Sequence, residues 1–138
     1  MFVDASAIIA ILTREPDSDR LADLLDGAPE PFTSPVAIFE AVLGICRKRQ
    51  ATVEQATVEV GRFLETAGIR TVPVTPSDGV IALQAASRFG KGRGHPAQLD
   101  LGDCFAYALA KTAGSSILCK GDDFPRTDIE VAGASSLS

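Results

Sequence analysis

The chain has 138 residues, 46% hydrophobic and 22% charged, with 13 Lys and Arg against 18 Asp and Glu and a formal charge of −5. That length supports one domain whose core buries on the order of two-thirds of the unfolded surface, and the apolar fraction excludes disorder. The longest uninterrupted apolar stretch, Cys104 to Ala110, falls far short of the ~20 residues a membrane span needs. The N-terminus lacks a basic leader, so a soluble cytoplasmic domain without membrane contact is expected. An acidic balance makes a poor indiscriminate phosphate binder, yet a bound divalent cation can reverse the sign of a local site, so a nucleic-acid substrate is not excluded. The three cysteines, Cys46, Cys104 and Cys119, show no Cys-x-x-Cys spacing, and His95 is the only histidine. Zinc is disfavoured, and buried reduced thiols are expected.

In chain order, Met1 to Val3 reads as a short strand ending at Asp4. A helix follows from Ser6 to Thr13 with Ser6 as its N-cap. A second helix spans Ser18 to Leu25 and closes at Gly27. Phe32-Thr33 is a short strand between prolines, and Pro35 opens a helix to Arg49. Further helices are expected from Val53 to Ala67 and from Asp78 to Phe89, with a β-branched strand from Ile69 to Val74 between them. Gly90 to Pro96 is a flexible basic loop. The last elements are a helix from Leu101 to Thr112, a strand from Ser116 to Cys119 and a turn at Gly121 to Asp123. Short apolar strands alternating with helices predict an α/β domain with a mainly parallel sheet flanked by helices. Ligands of such sheets bind beyond the carboxyl ends of the strands.

Four acidic positions stand out. Asp4 ends the first strand; it either caps the next helix or faces a ligand. Glu40 is the only charge between Pro35 and Cys46, and its one-turn neighbours, Ala37 and Gly44, are small. Burying such a carboxylate is costly unless it is paired or holds a cation. Arg47, about two turns on, is too far for a one-turn pair. Asp100 and Asp103 have capping-box spacing, with Asp103 in the first turn of its helix. Asp122 and Asp123 follow the last strand, where Gly-Asp-Asp is also ordinary turn chemistry. In a parallel sheet these positions can converge, and gathered carboxylates repel unless a cation joins them. All-oxygen ligation suits Mg²⁺ or Mn²⁺ and phosphodiester hydrolysis.

Four blocks carry a resemblance across nearly the whole chain: Val3-Asp4-Ala5-Ser6-Ala7, Glu40 in the third helix, Leu99 to Ala110, and Lys120-Gly121-Asp122-Asp123-Phe124 with Thr127-Asp128-Ile129. In this order they resemble a PIN-domain ribonuclease, specifically the VapC toxins of type II toxin–antitoxin pairs. The resemblance implies a three-layer PIN-like fold, with residues 1–131 as a single PIN domain; residues 132–138, mostly small, are expected to fray. It implies that Asp4, Glu40, Asp103 and Asp123 are the catalytic and metal-binding acids, with Asp122 the other choice for the fourth. Ser6 would support the first acid. Ala5 stands where relatives often have Thr, and Asp100 where many have Asn, which leaves Asp100 as an outside candidate ligand. Mg²⁺-dependent (or Mn²⁺-dependent) RNA hydrolysis to a 3′-hydroxyl and a 5′-phosphate is implied, as are a homodimer and a VapB-type antitoxin partner.

Holding RNA on an acidic chain requires local cations. Lys91 and Arg93 in the glycine-rich loop are the RNA-binding candidates, while Arg47, Lys48 and Arg49 read more readily as solvated surface. Two other readings compete. A haloacid-dehalogenase-type phosphatase would need an Asp where Ser6 stands, and a non-catalytic PIN-like RNA- or protein-binding module would be expected to have lost one of the four acids. Gly90 to His95 lacks the Gly-Lys-Ser/Thr ending of a phosphate-binding P-loop.

Overall fold

The computed structural model describes residues 1–134. Four two-residue strands, β1 (Phe2–Val3), β2 (Phe32–Thr33), β3 (Arg70–Thr71) and β4 (Ile117–Leu118), form one sheet in the order β3-β2-β1-β4. Every pairing is parallel. Six helices connect them: α1 (Ala5–Leu12), α2 (Ser18–Asp26), α3 (Pro35–Arg49), α4 (Val53–Thr66), α5 (Pro76–Phe89) and α6 (Leu101–Ala113). None of the described helices is long and apolar enough to cross a membrane. This is the α/β architecture expected from the alternation of short apolar runs with helical ones.

Two-residue strands divide their side chains cleanly between the faces. Phe2 and its partner Ile117 pack with the residues of α5 and α6, including Ala85, Phe89, Tyr107 and Leu109. Val3 and its partner Leu118 point the other way, into Ile8, Leu21, Ile45 and Val60 of α1 to α4. The result is helix, sheet, helix, with a core on each side of a fully buried centre. The chain walks from β1 to β2 to β3 in one direction and then returns to the opposite side of β1 for β4. That reversal puts the topological switch point at the carboxyl ends of β1 and β4, where parallel sheets leave a crevice.

Local chemistry sets the helix starts. Ser34 caps α3 by accepting the Ala37 N–H at 3.1 Å, and Pro35 occupies the first turn, where its missing N–H costs nothing. Capping boxes open α4 (Thr52 with Gln55), α5 (Thr75 with Asp78) and α6 (Asp100 with Asp103). The structure moves some expected boundaries. The cap of α1 is Asp4 rather than Ser6, because Asp4 is the residue with extended backbone whose side chain accepts the Ser6 N–H. The strand expected over Ile69 to Val74 shrinks to Arg70–Thr71, since β3 is an exposed edge with only β2 to pair. Beyond β4, Ile117 also bridges Val131, and the Ala132 N–H donates to the Ile117 carbonyl at 2.8 Å. The expected frayed tail, 132–138, lies outside the described residues from 135 onward.

Candidate functional site

Asp4 follows directly on β1, at the switch point of the sheet. It is 4% exposed, and its own backbone N–H donates to the Leu118 carbonyl at 3.0 Å, so β4 fixes its position. The Oδ2 atom accepts from the Ser6 N–H at 3.1 Å and from the Ser6 hydroxyl at 2.5 Å. Ser6 Oγ in turn accepts the Lys120 N–H at 3.0 Å. One hydroxyl therefore ties the first acid to the end of β4. Burial holds the Asp4 carboxyl above its ordinary range, against the opposing pull of the Ser6 hydrogen bonds.

Glu40 reaches the same region from α3. It is half-buried and pushed up to about 7, first by burial and then by the charges of Asp100 and Asp4, with Arg47 opposing. Arg47 thus does reach the field of Glu40, although it is outweighed. The room for the carboxyl group does not come from Gly44, as the helical spacing suggests: the space beside Gly44 is filled by Ile9. It comes from Gly102 on α6, where a side chain would collide with the Glu40 carboxyl group.

Asp103 stands in the first turn of α6, its Oδ2 accepting the Asp100 N–H at 3.1 Å while Asp100 Oδ1 accepts the Asp103 N–H at 2.9 Å. The Asp103 carboxyl is pushed up to about 8 by burial, with the charges of Asp4 and Asp100 adding to it and the hydrogen bond from the Asp100 N–H opposing. Asp4, Glu40, Asp100 and Asp103 therefore share one electrostatic field. Asp122 is exposed, and Asp123 is half-buried at the head of a 3-10 turn (Phe124–Arg126) anchored by buried Phe124. Both stand outside the set of charges that act most on the other acids.

The donor set is hard. Cys119 is pushed up to about 12, mostly by burial and further by Asp4 and Asp103, and Cys104 is raised likewise. Both stay as thiols at neutral pH, so Lys120 does not activate its neighbour, and only carboxylate oxygens remain as strong ligands. Cys46, expected buried, is half-buried on α3. Clustered carboxyl groups whose ionisation is penalised are what a bound cation relieves, and all-oxygen donors fit Mg²⁺ or Mn²⁺. Among the described residues no three His, Cys, Asp or Glu side chains stand close enough together to hold a metal ion as they are placed.

The basic candidates separate. Lys48 pairs with Glu15 and Arg49 with Glu59, which makes them structural surface. Lys91 and Arg93 are exposed and, with Asp100, Leu101 and residues of α5, line a cavity of about 310 Å³. Their loop is closed at its neck: Lys91 N–H donates to the Leu99 carbonyl at 2.9 Å and Leu99 N–H to the Phe89 carbonyl at 3.0 Å. Reading the sequence missed two contributors, Gly102 and the Lys120 backbone. The Lys120-Gly121 pair offered a turn signal, but nothing in the chain pointed from Gly102 to Glu40.

The model of the PIN domain family matches residues 1–130, and the chain belongs to that family. Within it, the chain is 40% identical over 139 residues to a VapC ribonuclease of Rhizobium meliloti strain 1021, a match covering 93% of this chain and 98% of the relative. Among solved structures, the VapC20 toxin of Mycobacterium tuberculosis, described as cleaving the sarcin-ricin loop, superposes with a TM-score of 0.73 at 18% identity, covering 95% of this chain and 98% of that one. A toxin–antitoxin complex from Klebsiella pneumoniae gives 0.66 at 13% identity, covering 94% and 98%.

Proposed function

We propose that this chain is a VapC-type endoribonuclease toxin that hydrolyses RNA phosphodiester bonds with the help of Mg²⁺ or Mn²⁺. The observation that supports the reading is that Asp4, Glu40 and Asp103 each have their ionisation penalised, with the charge of Asp4 acting on the other two. The ribonuclease relative and the toxin neighbours support the reaction class and substrate. Asp4, Glu40 and Asp103 would hold the cation, with Asp123 as the fourth acid and Asp122 its alternative. The cation would polarise the scissile phosphate and lower the pKa of an attacking water.

The chain's own residues supply the rest. Asp4 is fixed by Leu118 and Ser6, so it presents its carboxylate at a set distance from the end of β4. One carboxylate of the set would take the single proton released as the water oxygen bonds to phosphorus. The bond from phosphorus to the 3′ oxygen would break and that oxygen would receive a proton, from the carboxyl group just protonated or from solvent, giving a 3′-hydroxyl and a 5′-phosphate. Lys91 and Arg93 would meet flanking phosphates. A homodimer in the cytoplasm, silenced by a VapB-type antitoxin, completes the proposal; the Klebsiella pneumoniae neighbour was solved as a toxin–antitoxin complex.

The test is cleavage of a mixed RNA pool with Mg²⁺, with EDTA, and by an Asp103→Asn protein. Cleavage in the first condition only is expected, with a loss in the variant of at least about 100-fold, the size of effect seen when a transition-state contact goes. Cleavage surviving Asp103→Asn would refute the carboxylate assignment. No cleavage with cation binding intact would point to a highly selective target or to the non-catalytic module.

A further inference from the structure

We infer that Gly102 is a positioning residue whose missing side chain is the seat of the Glu40 carboxyl group. The inference rests on the metal-site reading above. Gly102 is buried in the first turn of α6, beside Asp103 and under α3. An atom placed where a side chain would begin at Gly102 collides with both carboxyl oxygens and the carboxyl carbon of Glu40. No backbone requirement explains a glycine here, since Gly102 is not among the residues with positive φ and lies within a regular helix. Glycine is a poor helix former, so in the absence of Glu40 alanine would be the better residue. What the glycine provides is a notch in the surface of α6, one residue from Asp103, into which α3 inserts its only acid.

The groups at the notch differ in how they respond to crowding. The colliding atoms are the free end of a long side chain rather than backbone, so a methyl group at position 102 swings Glu40 away and leaves both helices in place. Gly102→Ala is therefore expected to separate fold from site. Gly44, by contrast, faces the side chain of Ile9 in the core, where an added methyl disturbs packing instead.

The experiment is calorimetric titration of Mn²⁺ into wild type, Gly102→Ala, Glu40→Gln and the double variant, with thermal unfolding of each metal-free protein. Gly102→Ala should unfold at or slightly above the wild-type temperature and bind Mn²⁺ at least tenfold more weakly. On the Glu40→Gln background the same change should add no more than twofold. Equal Mn²⁺ binding by wild type and Gly102→Ala would overturn this inference alone. So would a full tenfold loss added to Glu40→Gln, or a large fall in unfolding temperature. A wild type that binds no Mn²⁺ would remove the metal site and this inference with it.

Discussion

Burial, reinforced by the neighbouring acids, pushes Glu40 up to about 7 and Asp103 up to about 8, well above the carboxylate range of about 4. A carboxyl raised in the folded state stabilises the fold fully below its unfolded value, and that contribution is lost as pH climbs through the folded value. The metal-free protein should therefore lose stability between about pH 4 and pH 8. Asp128 and Asp78 work in reverse: Tyr107 and Lys111 hold Asp128 down, and hydrogen bonds from Thr75 and Thr112 lower Asp78 despite its burial. They cost stability only as pH falls through the acid range. Asp103→Asn should raise the metal-free unfolding temperature at pH 8 by roughly 3–6 °C and change it little at pH 5. Scanning calorimetry at the two pH values checks this; equal shifts at both would mean that Asp103 is not an uncompensated charge. Mg²⁺ should recover the difference at pH 8 for wild type only.

At the scale of elements, α3 is the arm that carries Glu40, and its entry is set by Ser34. That side chain is 1% exposed and bonded to the Ala37 N–H. Ser34→Ala should destabilise by about 1 kcal/mol in urea unfolding, the usual worth of an N-cap. An effect below about 0.3 kcal/mol would show that packing alone fixes the helix start. Elements with local signals were legible in advance: Pro35 and the lone acid at Glu40 predict α3 to the residue, and Asp100 with Asp103 predicts the capping box of α6. What stayed hidden was tertiary. Asp4 displaces Ser6 as the α1 cap because Leu118 and Lys120 fix the two residues from another strand. Gly102 looks like an ordinary small residue until α3 is laid across it. The acids were visible as oddities, but which of them act on one another depends on strand order, which no local pattern contains.

For the whole molecule, the excess of acids makes RNA retention a local matter. Lys91 and Arg93 are held on a loop with a bridged neck at the rim of the cavity that Asp100 also lines. Reversing both charges should weaken RNA binding about tenfold or more and flatten its salt dependence by up to about two in slope. Filter binding across a salt series checks this; unchanged slope would remove both residues from the RNA path.

The brevity of the strands has one more consequence. With two residues each, Phe2 and Val3 are the whole of β1, and one faces each core. A slip of one residue would send both aromatic and aliphatic partners to the wrong side and carry Asp4 out of the crevice in the same movement. If Asp4 serves the proposed site, misthreaded chains would be disarmed as well as unstable. For a protein proposed to be lethal to its own cell, proofreading of the fold and safety of the blade are one and the same check.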